Sequence, residues 1–500
     1  MQFTSFEFAV FFPIVVLLFY VMPKRFRQLW LLVASYYFYM GWNAKYAVLI
    51  FASTLVTYLC AVILGRLGRS EEPRNKRTRV LTLVAGLAIN LGILVFFKYF
   101  YFLHDTVAQL ASVFGIRFGE SRLDILLPVG ISFYTFQAVG YMLDVYRGTV
   151  AVETNFIRYA LFVSFFPQLV AGPIERSGNL LGQLEAISHK RMWDFDKVTR
   201  GLVMMLWGFF MKLVIADRAA ILANQVFAIY YMFNGVALLL AIFLFAIQIY
   251  CDFASYSMIA MGAARVLGIE LMANFEAPFF SRSVSELWRR WHISLSSWFR
   301  DYVYIPLGGS RCTRLRKYWN TMVTFLISGL WHGASWHFVF WGGLQGVFII
   351  IGDMLRPLKK RLTDLFDVRV NTFGYSFFQG VCTFFLFMLS LVFFRADTVR
   401  DGIYYIQRLF TNFDIWSLFD GSIYYLGLDK KEMSVLWAGI LILLLVDMYY
   451  ARKKAFIDTL VKEQCLAVQY VIVLALLVMV VVFGIYGEGY DATQFIYFQF

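Results

Sequence analysis

The amino-acid sequence predicts an all-α membrane protein that crosses the bilayer many times. Hydrophobic residues make up 60% of the 500 residues and charged residues only 15%, whereas soluble domains average about 45–50% apolar and about 25% charged residues. The apolar residues gather into blocks of roughly 18 or more, long enough for a helix to cross a bilayer core of about 30 Å. Strand-like alternation does not dominate these blocks, which weighs against an outer-membrane barrel.

The distribution of positive charge predicts the topology. The formal net charge is +13, but Lys and Arg occur in short runs between apolar blocks, which is typical of cytoplasmic loops rather than of a nucleic-acid-binding surface. The runs predicted to be cytoplasmic are Lys24–Arg27, Gly65–Arg79, Arg356–Arg361 and Arg452–Lys454. The candidate crossings lie near residues 6–22, 28–44, 46–64, 80–102, 125–146, 201–216, 236–251, 373–394, 433–450 and 466–487.

The N-terminal segment and the cysteines give two further predictions. The first apolar run has neither a basic leader nor a small-residue cleavage site, and its positive charges follow it, so we expect a retained helix that enters from outside. The five cysteines are scattered and form no C-x-x-C pair, which indicates neither a disulfide framework nor a thiolate metal site.

Two apolar segments do not fit simple crossings. Pro167, Gly172 and Pro173 interrupt the run over residues 156–178, as happens in broken or re-entrant segments that line a cavity. Residues 320–351 lie between flanks that are both predicted to be cytoplasmic, which favours two short legs that meet inside the membrane. This arrangement predicts that His332 lies near the bilayer centre. Gly329 and Gly333, four residues apart, would let another helix approach closely.

The remaining polar segments complete the predicted organisation. In residues 274–317, arginines alternate with tryptophans, a mixture typical of the headgroup level, so we expect this segment to lie along the cytoplasmic interface and dip inward. Residues 395–432 are interpreted as an external loop. Because the sequence shows neither an internal repeat nor a soluble domain, residues 1–500 are predicted to form a single integral membrane domain.

The histidines are the main candidates for chemistry. His332 and His337 are five residues apart, about 140° on a helix, which differs from the four-residue step of the H-E-x-x-H zinc motif. The G-x-S-x-G, Walker and G-x-G-x-x-G motifs are absent from the sequence, so hydrolase, ATPase and dinucleotide-binding functions lose support. An ionisable residue in an apolar segment is by default a candidate functional residue, and a neutral imidazole suits a general base that acts on a hydroxyl.

Each histidine also has a structural interpretation. The structural interpretation of His332 is a hydrogen bond that links two helices, with no role in catalysis. For His337 a structural role is favoured. His292 follows the W-R-R-W sequence and could equally contact headgroups or take part in catalysis. His104 and His189 are interpreted as loop residues.

Several motifs resemble the membrane-bound O-acyltransferases, most closely the bacterial alginate O-acetyltransferase branch. The resemblance covers nearly the whole chain, and its long segment at residues 274–309 is highly specific. The segments that carry it are LLPVGISFYTFQAVGYMLDVYRG (126–148), PQLVAGPIER (167–176), QIYCDFASYS (248–257), NFEAPFFSRSVSELWRRWHISLSSWFRDYVYIPLGG (274–309), SGLWHGASW (328–336) and FIYFQF (495–500).

The resemblance implies a funnel-like helical bundle around a transmembrane tunnel that holds the catalytic histidine. The family's W-H-G histidine matches His332, and its upstream histidine, towards the cytoplasmic donor side, matches His292. Four further motif positions are interpreted as lining the donor tunnel, namely Trp331, Trp288, Arg289 and Asn274. A substrate-binding role for Asp252 is weakened because the stretch after it departs from the family pattern. Asp252 could instead pair with an arginine inside the bundle.

The resemblance implies acetyl transfer from cytoplasmic acetyl-CoA, whose phosphates would suit the arginines of residues 282–317. The chain would sit in the bacterial cytoplasmic membrane among lipid and exopolysaccharide machinery, with an external serine-hydrolase-like acetyltransferase as partner and with neither a metal nor a cofactor. One alternative is D-alanyl transfer to teichoic acid from a carrier-protein thioester. A transporter or flippase and a purely structural scaffold are the alternatives from other classes. The acetylated polymer is left open.

Overall fold

The computed structural model describes residues 1–68, 72–116, 123, 125–170, 172–190 and 192–487 of the chain. These residues form helices and contain no β-strand, so the all-α prediction is confirmed. The C-terminal motif at residues 495–500 and part of the basic run at residues 65–79 lie outside the described residues.

The α-helices are α1 (Phe6–Val21), α2 (Arg27–Met40), α3 (Ala47–Leu67), α4 (Pro73–Leu94), α5 (Phe100–Val113), α6 (Ile131–Arg147), α7 (Phe156–Ser164), α8 (Phe166–Leu169), α9 (Ser177–Ala186), α10 (Phe195–Phe209), α11 (Asp217–Ala228), α12 (Gly235–Val266), α13 (Val284–Arg290), α14 (Ile293–Phe299), α15 (Arg314–His332), α16 (Trp336–Met354), α17 (Arg356–Leu365), α18 (Phe373–Arg395), α19 (Val399–Thr411), α20 (Lys430–Lys453), α21 (Ile457–Lys462) and α22 (Leu466–Phe483). Short π-helical turns lie at Val95–Tyr99, Phe210–Ala216 and Arg300–Tyr304.

Eight helical stretches of the described residues are long and apolar enough to cross a membrane, so this is a multi-pass membrane protein. They are Ala44–Leu67, Pro73–Val113, Phe195–Ala228, Gly235–Val266, Trp336–Met354, Phe373–Arg395, Lys430–Lys453 and Leu466–Phe483. The predicted crossings near 28–44 and 125–146 correspond to the shorter helices α2 and α6, of 14 and 17 residues. The predicted funnel and tunnel stay predictions.

The prediction of two legs that meet next to His332 is confirmed, but the legs are longer than predicted. Helices α15 and α16 each contain 19 residues, about 28 Å at the helical rise, and the turn between them follows directly after His332. The first leg is longer than predicted because the polar residues before position 320 continue the helix. The side chain of Thr313 caps its first turn by accepting a hydrogen bond from the Arg316 N–H at 3.5 Å. The depth of His332 in the bilayer stays a prediction.

Residues 395–432 were predicted to form a loop. They contain instead the 13-residue helix α19. Its first turn is capped by Thr398, whose Oγ1 accepts from the Asp401 N–H at 3.1 Å. One face of α19 buries Tyr405 and Leu409, so an amphipathic helix replaces the expected loop. Its external location stays a prediction.

The chain divides into two compact units. The first contains Met1–Leu202 with Ala260–Met272, and the second contains Val203–Ile259 with Ala273–Phe500. Helices α10 and α12 therefore contribute residues to both units. The single domain predicted over residues 1–500 stays a prediction.

In the first unit, the predicted break over residues 156–178 is confirmed. Helix α7 ends at Ser164 and α8 covers only Phe166–Leu169. Polar side chains satisfy the backbone groups that the break leaves without helical partners. The Phe166 N–H donates to Ser35 Oγ at 3.1 Å, and the Phe162 carbonyl accepts from Gln137 Nε2 at 2.6 Å and from Gln168 Nε2 at 2.8 Å. Such replacement bonds are what permits irregular backbone at membrane depth.

In the second unit, α15 and α16 form a tight hairpin. The close approach predicted at Gly329 is confirmed, because a methyl group there would overlap the Phe338 carbonyl and lie 3.1 Å from the Gly342 Cα. Gly333 lies just beyond α15, and a methyl group there would overlap the Phe338 ring. Any larger residue at Gly329 would push the two helices apart.

The segment at residues 274–317 departs from the headgroup-level prediction in its aromatic residues. Trp288, Trp291 and Trp298 are all buried inside the second unit, whereas Arg289 and Arg300 are exposed. The tryptophans therefore pack in the protein core and do not line a lipid interface.

Candidate active site

His332 is the last residue of α15 and is buried among aromatic rings. It is 3% exposed, and its ring centroid lies 5.0 Å from that of Trp331, 5.1 Å from Trp341 and 5.7 Å from Phe394. The turn after α15 directs the chain into α16, which supplies Trp341, while α18 supplies Phe394. This surrounding of rings excludes water from the imidazole.

His292 is fully buried, and its ring centroid lies 6.4 Å from that of His332. It stands just before α14 with a φ of 47°, a left-handed conformation that a non-glycine residue adopts at an energetic cost. Burial, with a smaller effect of the nearby His332, lowers the pKa of His292 well below its usual range. The imidazole of His292 is therefore neutral at physiological pH.

Asn274 fixes the position and tautomer of His292. Asn274 Oδ1 accepts from the Ser294 N–H at 3.2 Å and from Ser294 Oγ at 2.9 Å, which identifies it as the amide oxygen. It also lies 3.3 Å from His292 Nδ1, which must therefore carry the proton. The neutral ring then leaves Nε2 as the acceptor. The Asn274 carbonyl holds the same turn by accepting from the Ile293 N–H at 2.9 Å.

A cavity of 680 Å³ lies in the second unit beside these histidines. Its lining includes Trp288 and Arg289 from α13, Ile293 directly after His292, and Ser328, one helical turn before His332. Among the described residues that line it, six are cations and one is an acid, namely Arg282, Arg289, Arg300, Lys317, Arg356, Lys359 and Asp353. Its volume falls within the usual range for ligand sites, about 300–1,000 Å³.

Trp288 connects the cavity to the surroundings of His332. Its Nε1 donates to Gln345 Oε1 at 3.2 Å, and Gln345 Nε2 donates to Ser390 Oγ at 2.7 Å. The Trp288 ring lies 5.8 Å from that of Trp341, which in turn contacts the His332 ring. A single layer of aromatic rings thus joins the cavity wall to His332.

The structure brings only some of the predicted site residues together. His332, His292, Trp331 and Asn274 form one buried cluster. Trp288 and Arg289 line the cavity, whereas Asp252 is not among the described residues that line it. The catalytic and substrate-binding roles of all seven residues stay predictions.

Asp252 belongs to a buried ion cluster. Its Oδ1 lies 2.5 Å from Lys212 Nζ, and the same ammonium lies 2.7 Å from Asp217 Oδ1. Lys212 occupies the π-helical turn between α10 and α11, while Asp252 belongs to α12, so the cluster ties these helices together. The partner of Asp252 is thus a lysine, where the sequence suggested an arginine.

We expect the substitution Lys212→Met to destabilise the protein by about 3–5 kcal/mol, because it leaves two buried carboxylates without their shared cation. The triple variant K212M/D217N/D252N should recover most of this loss, since it removes the charges together. Thermal unfolding in detergent, followed by size-exclusion chromatography after heating, measures both effects. Equal melting temperatures for the native and K212M proteins would contradict this account of the cluster.

The other histidines have local roles. His337 Nδ1–H donates to the Phe393 carbonyl at 3.1 Å and so links α16 to α18, which agrees with the structural role favoured for it. His189 lies in the turn after α9. His104 is inside α5 rather than in a loop, with its Nδ1 3.0 Å from Asp105 Oδ1.

Sequence reasoning missed two residues of this site and one residue of the ion cluster. Trp341 and Gln345 lie four residues apart on one face of α16 and contact His332 and Trp288 respectively. A glutamine in an apolar span was a detectable signal. Lys212 lies inside the predicted crossing at residues 201–216. A single lysine there resembles the boundary of a segment, so it did not indicate a buried ion pair.

Possible metal sites are limited in the part of the chain that the structure describes. There, no group of three or more His, Cys, Asp or Glu side chains is arranged to hold a metal ion. The prediction that the protein needs neither a metal nor a cofactor is untested.

Comparison with known proteins places these features in a family. The model of the membrane-bound O-acyltransferase family matches residues 149–394. The chain is 36% identical over 437 residues to the probable alginate O-acetylase AlgI of Azotobacter vinelandii, which covers 87% of this chain and 81% of that protein. It is 32% identical over 408 residues to the peptidoglycan O-acetyltransferase of Helicobacter pylori, covering 77% and 74%.

A more distant relative is the teichoic acid D-alanyltransferase of Streptococcus thermophilus, 28% identical over 282 residues, which cover 53% of this chain and 66% of that protein. The family match includes both His292 and His332 and all the described residues that line the cavity. Similarity above 30% identity also extends over most of the length of several relatives. The chain therefore belongs to the membrane-bound O-acyltransferase family and is an acyltransferase.

Proposed function

We propose that the protein transfers an acetyl group from cytoplasmic acetyl-CoA to an acceptor hydroxyl, for the O-acetylation of an extracytoplasmic polysaccharide of the alginate type. The observation that carries the proposal is the cation-rich cavity, which reaches within one helical turn of His332. Phosphates pair favourably with arginine and lysine, and CoA carries several of them. The names of the alginate and peptidoglycan O-acetylating relatives support acetyl as the transferred group.

Acetyl transfer needs one base that takes the proton of the acceptor hydroxyl and a route by which this proton reaches the leaving sulfur. His332 accepts the proton of the acceptor hydroxyl as its oxygen attacks the acetyl carbon. The new C–O bond forms, the C–S bond of the thioester breaks, and the proton passes to the CoA sulfur. General-base catalysis of this kind contributes about 10²–10⁴-fold to the rate. The rings of Trp331, Trp341 and Phe394 keep water from competing as acceptor.

His292 serves the donor side in this proposal. Its neighbour Ile293 lines the cavity, and Asn274 holds its Nδ1–H so that Nε2 is available as an acceptor. Arg289 and the other lining cations hold the donor phosphates. The site lies in the bacterial cytoplasmic membrane, and a serine-hydrolase-like acetyltransferase outside it completes transfer to the polysaccharide.

Transfer or release of label from acetyl-labelled CoA by the purified protein in proteoliposomes tests the proposal. We expect label to leave CoA with the native protein, and more so when an extracytoplasmic partner is added. Turnover of a D-alanyl carrier-protein thioester in place of acetyl-CoA would overturn the donor assignment and favour D-alanyl transfer. Substrate movement without thioester cleavage would favour a transporter instead.

We expect Arg289→Gln to raise the KM for acetyl-CoA about tenfold, the effect of losing one charge-assisted hydrogen bond of roughly 1.4 kcal/mol. The kcat should change little, since the proposed role of Arg289 is to hold donor phosphates and not to take part in making or breaking bonds. Arg290→Gln is the matched control, because Arg290 follows directly, pairs with Glu286 at 2.5 Å and is not among the described residues that line the cavity. Equal KM values for the two variants would contradict the role of Arg289.

A further inference from the structure

Helix α17 is a short amphipathic helix that stays exposed on all its faces. None of its ten residues is buried within the described part of the chain. Leu358, Leu362 and Leu365, spaced four and three residues apart, form one stripe, and they are 50%, 45% and 74% exposed. The protein core therefore does not cover this apolar stripe.

The rest of α17 is strongly basic. It carries four cations, Arg356, Lys359, Lys360 and Arg361, against the single acid Asp364. Arg356 and Lys360 lie on the face opposite the leucines, while Lys359 and Arg361 flank the stripe. Flanking cations with long alkyl stems are typical of helices that lie at a membrane interface.

The chain gives α17 little freedom to leave the membrane surface. It begins two residues after the membrane-spanning helix α16 ends, with only Leu355 between them. Seven residues, 366–372, separate its end from the membrane-spanning helix α18. The basic run in α17 is also one of those that the charge rule places on the cytoplasmic side, where anionic lipids create a negative surface potential.

We propose that α17 is an interfacial helix that binds anionic phospholipid headgroups, with Leu358, Leu362 and Leu365 inserted among the acyl chains. Lys360 and Arg361, the cations of α17 that are not among the described cavity-lining residues, match the negative headgroups, and insertion removes the leucine stripe from water. Each cation near an anionic surface contributes about 1 kcal/mol of attraction, or roughly fivefold in affinity.

Helix α17 also contributes two of its four cations to the cavity described above. Arg356 and Lys359 line the cavity, Arg356 lies 3.3 Å from Asp353, and Lys359 lies over the Tyr375 ring at 5.6 Å from its centroid. Lys360 and Arg361 are exposed and are not among the described lining residues. The two sets of cations can therefore be changed separately, and lipid binding can be tested without touching the donor site.

Site-directed spin labelling tests the proposal. The five native cysteines are free and are first replaced by serine or alanine, and a nitroxide is then placed at position 362 in one protein and at position 364 in another. These positions lie about 160° apart on the helix. In nanodiscs that contain phosphatidylglycerol, we expect the label at position 362 to favour oxygen and the label at position 364 to favour a water-soluble nickel chelate.

A second experiment removes two of the positive charges of α17 and measures the effect on membrane insertion. Lys360→Gln with Arg361→Gln should weaken insertion of the label at position 362 about fivefold per cation, or roughly 25-fold for the pair, as phosphatidylglycerol is titrated into phosphatidylcholine nanodiscs. The matched control is Lys430→Gln with Lys431→Gln, an exposed lysine pair at the start of α20, which should leave the titration unchanged. The readout is independent of acyl transfer, so it stands even if the proposed donor is wrong.

Three outcomes would overturn the proposal. Equal access of the nickel chelate to positions 362 and 364 would show that the leucines do not enter the membrane. Insertion of the same strength in pure phosphatidylcholine would remove the requirement for anionic headgroups. An unchanged titration in the Lys360 and Arg361 variant would show that these cations do not contact the lipid.

Discussion

Replacing His332 with alanine is expected to abolish acetyl transfer, with a loss of at least about 10²-fold in kcat and up to about 10⁴-fold. The loss follows because the acceptor hydroxyl loses the base that takes its proton, and no other described imidazole lies among the rings of Trp331, Trp341 and Phe394 apart from His292 at 6.4 Å. Steady-state transfer of labelled acetyl to an acceptor measures kcat directly. The variant must elute as a folded monodisperse protein for the comparison to count.

His337→Asn is the matched control for this variant. His337 lies five residues after His332 in the same hairpin, and its Nδ1–H bonds to the Phe393 carbonyl. The asparagine amide can replace this donor, so the link between α16 and α18 survives and kcat should stay within a few-fold of native. Full activity of a folded His332→Ala protein would rule out general-base catalysis by this residue.

The sequence was sufficient to predict the class of fold and the interrupted helix at residues 156–178. In the membrane each helix must satisfy its own backbone hydrogen bonds and present apolar side chains to lipid. This requirement acts on each helix separately, so composition and the length of the apolar blocks reveal it directly. The charge runs and the prolines of residues 156–178 are local signals as well. For this reason the helical class and the break between α7 and α8 both agree with the structure.

The sequence did not predict what depends on packing between distant segments. The lysine partner of Asp252 lies 40 residues away, and the aromatic partner of His332 on α16 is apparent only once the hairpin is formed. Trp288 and Trp291 look interfacial by composition, but they are buried against Trp341 of α16 and Phe387 of α18 respectively. The hydrogen bond between Asn274 and His292 is likewise set by folding, since eighteen residues separate them.

The second large effect is expected at Asn274, which we propose as a positioning residue that acts through His292. Asn274→Asp keeps an oxygen for Ser294 and for His292 Nδ1–H but adds a negative charge beside the imidazole. An adjacent carboxylate favours the charged imidazolium and so raises the lowered pKa of His292. Because the neutral ring is the active form in this proposal, the acidic limb of kcat/KM should move to higher pH.

Ser257→Ala is the control, since it removes only the hydroxyl that accepts from Asn274 Nδ2 at 3.2 Å and leaves the oxygen of Asn274 in place. Its pH profile should match that of the native protein. Asn274→Ala should behave differently from both, because the buried Ser294 N–H loses its acceptor, at a cost of about 1–3 kcal/mol in stability. A purely structural Asn274 would lower stability in both Asn274 variants but leave the pH profile unmoved. An unshifted acidic limb in an active Asn274→Asp protein would therefore refute the positioning role and leave His332 as the group whose titration limits the rate.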